Sequence, residues 1–243
     1  MAKIFSVVSG SGGVGKSTVC CHLARAMAEH GEKTLVVEMG FGFRTLDVFF
    51  NIDQIVYDLG DVIEKRCDVF EAIQGVKNCE SLDLLPASVN FETKLDRVDY
   101  SYIFDVLQEK YDNIILDLPL ESSVVYDILN FTYMVLVVVT PNPVCIRNAS
   151  MLVDSVRNKF EGNIDMKLIV NQISKKAFKR GLVDNIDSII DDTQLQFLGG
   201  LLKSENIMLA NCNGVSLKRR SLEHKIFDVI YERLNGNFVE ILI

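Results

Sequence analysis

The residues Gly10-Ser11-Gly12-Gly13-Val14-Gly15-Lys16-Ser17 bring four glycines, a lysine and a closing hydroxyl into eight consecutive positions. Glycines at 10, 12, 13 and 15 let successive backbone N–H groups turn toward one point, which makes a concave nest of donors. Lys16 adds a full positive charge beside it. The helix that must follow supplies unsatisfied N–H groups and the positive end of its dipole. Such a loop cradles phosphate, and Ser17 can set its hydroxyl on magnesium. The pattern predicts Mg-ATP binding at residues 10–18, with Ser11, Gly12, Gly13, Val14, Gly15, Lys16, Ser17 and Thr18 around the nucleotide and Lys16 on the β and γ phosphates.

The motif requires a strand before it and a helix after it. Lys3 to Val8 reads as the strand, and Thr18 to Met27 supplies good helix formers with Leu23, Ala24 and Met27 at helical spacing. A second magnesium ligand should close another strand. Asp117 ends the apolar run Asn113 to Leu116 and is the candidate, with helix capping as its plainer use. Asn171 and Gln172 follow Leu168 to Val170, where their amides could meet an adenine edge or simply make a turn.

Short β-branched runs recur at Ile4 to Val8, Thr34 to Val37, Leu82 to Leu85, Ile114 to Leu116, Met134 to Val139, Leu168 to Val170 and Phe197 to Leu202. They read as buried parallel strands. Amphipathic stretches lie between or after them at Ser17 to Glu29, Tyr100 to Lys110, Val144 to Phe160, Leu182 to Ile190 and Leu217 to Leu234. The alternation predicts an α/β fold, a doubly wound, mostly parallel sheet with helices on both faces. No Pro/Gly/Ser-rich linker divides the chain, so residues 1–236 are expected to form one domain with a short apolar tail, 237–243.

With 25 basic and 33 acidic residues the net charge is -8, which offers no global attraction to nucleic acid or anionic lipid. The densest basic cluster, Lys175, Lys176, Lys179 and Arg180, reads as a solvated helix start rather than a binding patch. Six cysteines show no CxxC spacing, and no apolar run approaches the roughly 18 to 20 residues that span a bilayer. A cytoplasmic location is expected, with peripheral contact at the inner membrane the remaining possibility. Adjacent Cys20 and Cys21 read as packing residues.

These features resemble the deviant Walker A ATPases, and more closely the MinD branch of the MinD/ParA family, which positions the bacterial division site. Beyond the loop, the resemblance rests on Gly42-Phe43-Arg44-Thr45-Leu46-Asp47-Val48, Ile55-Val56-Tyr57-Asp58-Leu59 with Asp61-Val62 and Arg66-Cys67, and Leu84-Leu85-Pro86-Ala87. Asp117-Leu118-Pro119, Thr140-Pro141-Asn142-Pro143 with Arg147, and Val170-Asn171 extend it over nearly the full chain. It implies a homodimer that holds ATP, engages membrane and a protein partner in one nucleotide state, and releases them after hydrolysis.

Three departures bear on that cycle. Ser11 stands where the family has a signature lysine that reaches the partner subunit's nucleotide. The family's Asp-x-Asp strand end is Glu38-Met39-Gly40, which leaves Glu38 as the carboxylate available to stand in. A glycine whose N–H meets the γ-phosphate is replaced in Leu120-Glu121, where a carboxylate would repel that phosphate. A positioned cation of this type is worth about 10³ to 10⁵ in phosphoryl-transfer rate, so hydrolysis is expected to be weak or lost while binding persists.

The tail Asn237 to Ile243 has no Lys or Arg and carries Glu240, so it is expected to dock on the domain or a second subunit rather than on membrane. The leading expectation is an ATP-binding positioning protein with a protein partner of that system. The alternatives are an active ATPase cycling between dimer and monomer, and a biosynthetic P-loop enzyme acting on a small metabolite. An iron-sulfur carrier is disfavoured by the absence of CxxC.

Overall fold

The computed structural model describes residues 1–40, 42–90, 100–120, 123–174, 179, 183 and 185–242. Its strands are β1 (Lys3–Val8), β2 (Thr34–Glu38), β3 (Gln74–Gly75), β4 (Leu82–Leu85), β5 (Asn113–Asp117), β6 (Met134–Val139), β7 (Met166–Ile173) and β8 (Gln196–Leu202). They form one sheet in the order β3-β4-β2-β5-β1-β6-β7-β8. Every pairing is parallel except that of the two-residue edge strand β3 with β4. β2, β5 and β6 are buried at every position, as strands covered on both faces must be, and this is why they read as continuous apolar runs.

The helices among the described residues are α1 (Lys16–Glu29), α2 (Leu46–Phe50), α3 (Leu59–Ile63), α4 (Val69–Ala72), α5 (Ser101–Lys110), α6 (Ser123–Leu129), α7 (Pro143–Lys159), α8 (Ile186–Thr193), α9 (Glu205–Asn213) and α10 (Leu222–Leu234). From β1 the chain crosses leftward to β2, whereas β4 to β5, β5 to β6, β6 to β7 and β7 to β8 all step rightward. Right-handed crossovers therefore put α1 on one face and α5 to α8 on the other. After β8 the chain returns to the first face, where α10 packs on both α1 and β8. α1 is thus sandwiched, and Val19 to Ala28 are all buried.

Local chemistry explains where the helices begin and end. Asn142 accepts from Val144 N–H and Cys145 N–H at 2.9 and 3.4 Å, and Pro143 fills the first turn, so α7 starts there. Asp58 and Asp68 each close a capping box on the short helices α3 and α4, which apolar periodicity over so few residues does not reveal. The last long helix starts at Leu222 and not at Leu217, because Ser221 caps it and Arg220 has a left-handed φ of 66°. The stretch expected from Leu182 is helical from Ile186 to Thr193, behind the Asn185 cap. Of the basic cluster, Lys175, Lys176 and Arg180 lie outside the described residues.

One buried polar chain ties α1 to α9. Asn211 Nδ2 donates to Thr18 Oγ1 at 3.1 Å, while its Oδ1 faces His22 Nε2 at 2.9 Å. His22 Nδ1 is buried without a partner, and the Arg25 guanidinium lies one turn along the same helix. Burial above all, and then the Arg25 charge, push the imidazole pKa down from 6.5 to about 4. The unfolded chain takes up this proton near pH 6.5 and the folded one resists until about pH 4. Stability from this group is therefore complete above pH 6.5 and falls by up to about 3 kcal/mol as pH drops through 4. Urea unfolding at neutral pH and again near the folded pKa is expected to show a markedly smaller acid loss in His22→Gln than in the wild type. Equal losses would show that His22 is not the group responsible.

Candidate functional site

The glycine-rich loop leaves the C-terminal end of the central strand β1, between β5 and β6, where connections depart in opposite directions. Ligands of open parallel sheets bind at such points. α1 begins at Lys16 behind Gly15, whose φ of 94° is left-handed. A Cβ on Gly15 would sit 2.3 Å from Asn171 Nδ2, and one on Gly10 would sit 2.4 Å from the Asn148 carbonyl carbon. Those two glycines exist because neighbouring chain approaches. At Gly12 and Gly13 a Cβ would meet nothing within 4 Å, so the loop's outer side is an open cradle.

Four side chains brace the loop from behind. Ser9 Oγ donates to the Ser11 carbonyl at 2.8 Å and accepts from Lys16 Nζ at 3.3 Å. Asn148, on α7, donates to Ser11 Oγ at 3.3 Å. Asn171 Nδ2 donates to the buried Val14 carbonyl at 2.7 Å, and Asn171 Oδ1 accepts from Gln172 N–H at 2.8 Å. Gln172, itself at a left-handed φ of 55°, reaches the Gly13 carbonyl at 3.0 Å. The two amides expected to face adenine hold the loop's backbone in this structure. Thr18, half-buried, is held through Asn211.

At the loop's mouth the Ser17 hydroxyl donates to Asp117 Oδ2 at 2.5 Å, so the two residues expected to hold magnesium converge. Asp117 is buried, and desolvation raises its pKa against the lowering influence of Ser17 and Lys16. A carboxylate short of compensating charge is the donor type that a hard divalent cation suits, with the hydroxyl as a second oxygen. Behind it Cys20 and Cys21 are buried and their thiols are pushed up by burial, Cys21 to about 11, as packing residues should be.

Glu38 ends β2 opposite Asp117 in the register. Its Oε1 accepts from Thr45 N–H at 2.7 Å and Leu46 N–H at 3.3 Å, and its Oε2 from Ala87 N–H at 3.4 Å. Burial raises its pKa to about 7. Arg44 donates to the Ala87 carbonyl at 2.6 Å and to Asp58 Oδ2 at 2.5 Å. Glu38, Arg44, Asp58 and Ala87 therefore form one knot that fixes the start of α2 beside the site. Gly40 has ordinary space, with Ala87 Cβ 3.7 Å from a built Cβ. Glu121 lies outside the described residues.

Ser9, Asn148 and Asn211 are site residues that sequence reasoning missed. The only available signal was a polar side chain set among buried neighbours, as Asn148 is between Cys145 and Ala149. Removing the Asn171 amide in Asn171→Ala leaves the buried Val14 carbonyl unpaired and is expected to destabilise by about 1 to 3 kcal/mol in urea unfolding. Gln172→Ala, at a more exposed contact, is expected to stay below about 1 kcal/mol. A reversed order would remove the bracing role.

Comparison with known proteins agrees with this geometry. A family model described as an AAA domain matches residues 2–170, from β1 into β7. The chain is 31% identical to the septum site-determining protein MinD of Helicobacter pylori, over 99% of this chain and 93% of that protein. It is 27% identical to the MinD of Synechocystis over all of this chain and 92% of that one. Among solved structures, the MinC:MinD cell division protein complex of Aquifex aeolicus superposes with a TM-score of 0.87 at 26% identity, covering 100% of this chain and 99% of that one. MinD of Pyrococcus horikoshii, complexed with Mg-ADP, gives 0.85 at 21% identity over 97% and 96% of the two chains, a likeness of fold. Loop, switch-point position and full-length similarity coincide: the chain belongs to the MinD/ParA family of P-loop ATPases.

Proposed function

We propose that this chain is a positioning protein of the MinD kind that holds Mg-ATP at residues 10–18 and turns it over weakly or not at all. The observation that carries the binding half is the 2.5 Å contact of the Ser17 hydroxyl with the buried Asp117 carboxylate, at the mouth of a loop whose Gly12 and Gly13 face open space. Ser17 and Asp117 would hold magnesium, and Lys16 with the loop's N–H groups would hold the phosphates. Bound magnesium would neutralise phosphate charge there.

Slow turnover follows from what the switch positions lack. Ser11 carries no charge, and its hydroxyl is tied within the chain to Asn148. Gly40 has no side chain to orient water. Glu38 has both oxygens engaged by backbone N–H groups, which makes it a scaffold for the turn into α2 and a poor substitute for a water-positioning carboxylate.

The output of such a protein is a homodimer and a protein partner. α7 supports a partner surface: Val144 and Met151 are 57% and 65% exposed, with exposed Arg147 between them, one stripe at helical spacing. The same helix touches the loop through Asn148. The Aquifex relative was solved with MinC. No helix among the described residues is long and apolar enough to cross a membrane. Residues Ile241 and Leu242 pack against the core, and Arg233 holds the Val239 carbonyl at 3.0 Å, which favours a tail seated on the domain.

Mg-ATP at about 1,000 times its dissociation constant is expected to add roughly 4 kcal/mol to stability, and Lys16→Ala to abolish the gain. Absence of any shift in the wild type would refute the binding site. Phosphate release by the wild type is expected to match the Lys16→Ala background. The double variant Ser11→Lys with Gly40→Asp is expected to raise it, and at Gly40 a Cβ would meet only ordinary contacts. Wild-type turnover well above background, abolished by Lys16→Ala, would refute the silent switch.

A further inference from the structure

At the pole of the sheet opposite the loop lies a second cleft, of about 390 Å³, bounded by the first residues of β1, β6, β7 and β8, the last turn of α10 and the tail. Because these strands are parallel and about six residues long, it is roughly 20 Å from the phosphate loop. Its volume falls within the range of small-molecule sites.

Its charge runs against that of the chain. Lys3, Lys167 and Arg233 line it, against the single carboxylate of Asp165, in a protein of net charge -8. Lys167 is paired with Asp165 at 3.0 Å. Lys3 and Arg233 have no carboxylate partner among the described residues: Lys3 Nζ donates to Asn235 Oδ1 at 2.9 Å, and Arg233 donates to the Phe197 and Val239 carbonyls at 3.1 and 3.0 Å. An ammonium has three donors, so Lys3 keeps capacity for an anion. A cleft between low-dielectric walls concentrates such a field.

Its other walls are aromatic and carboxamide. Tyr133 lies 5.9 Å from Lys3 Nζ and is half exposed, and Phe238 at the rim is 100% exposed among the described residues. The carboxamide oxygens of Gln196 and Asn235 orient the two ammonium groups, accepting from Lys167 Nζ at 2.6 Å and Lys3 Nζ at 2.9 Å, and each ammonium keeps donor capacity beyond these bonds. A flat ring against Phe238 or Tyr133 would gain offset stacking and remove their faces from water.

We propose that this cleft binds a small organic anion, a carboxylate or phosphate carried on an aromatic ring, at a site separate from the nucleotide loop. The anionic group meets Lys3 and Lys167, and the ring lies against Phe238.

The test is a titration of the ¹⁵N-labelled full chain with phenyl phosphate, benzoate, inorganic phosphate and phenol, read at backbone amides. Phenyl phosphate or benzoate is expected to shift Lys3, Tyr133, Phe197, Gly236 and Phe238 saturably and more tightly than inorganic phosphate or phenol, and comparing the two ring acids assigns the head group. Lys3→Gln and Lys167→Gln, which keep amide donors at half-exposed positions, are expected to weaken binding about tenfold each. Phe238→Ala, at an unpacked ring, is expected to bring phenyl phosphate down to the affinity of inorganic phosphate. Shifts confined to residues 10–18, no shifts at all, equal affinity for phenol, or unchanged affinity in the lysine variants would overturn the assignment.

Discussion

The nucleotide loop depends on two places where the chain comes too close for a side chain. α7 backbone presses on Gly10, and the Asn171 amide presses on Gly15. At Gly10 a 2.4 Å overlap with backbone cannot relax without moving the loop, and at Gly15 a Cβ would displace the Asn171 amide and be strained at a φ of 94°. Between these clamps, Ser9, Asn148, Asn171 and Gln172 satisfy the loop's inward carbonyls and hydroxyls, which leaves its outward N–H groups for a ligand. The cradle is preorganised from behind, so little ordering free energy remains to be supplied by what it binds.

The same region separates two kinds of charged residue. Lys16 and Asp117 face the loop's mouth, where a ligand's charges can complement them. Glu38, Arg44 and Asp58 are neutralised within the fold by backbone groups and by each other. A buried ion pair such as Arg44 with Asp58 contributes little net stability but sets one geometry, here the relation between the start of α2, the cap of α3 and the end of β4. Several residues that carry the family resemblance are therefore there to hold the switch region's shape.

Much of the fold was legible because its signals are local. β6 is six apolar residues in succession, short and rich in valine as a buried strand is, and the loop declares itself by glycine spacing. The short helices α2 to α4 and the edge strand β3 were not legible, because two to five residues give no period to detect; α3 and α4 start at capping boxes, and the start of α2 is held by Glu38 from β2. The start of α10 was misplaced since Leu217 continues the apolar spacing while Arg220 breaks the backbone. The site was legible where one residue's chemistry is decisive, as for Lys16 and Asp117. It was illegible where a contact joins distant segments: Asn148 to Ser11 spans 137 positions, and Asn211 to Thr18 spans 193.

The central position of β1 has a consequence for how the chain comes to exist. Its hydrogen-bonding neighbours are β5, beginning at Asn113, and β6, beginning at Met134, so one edge of β1 stays unpaired until Asp117 has been synthesised and the other until Val137 has. During that interval the first strand is an apolar segment with open edges, which in a growing polypeptide invites chaperone capture or misassociation. The loop encoded in the opening residues is thus among the last features to acquire its shape. Closure of long chain segments, more than the loop's own sequence, sets when the protein first becomes competent to bind.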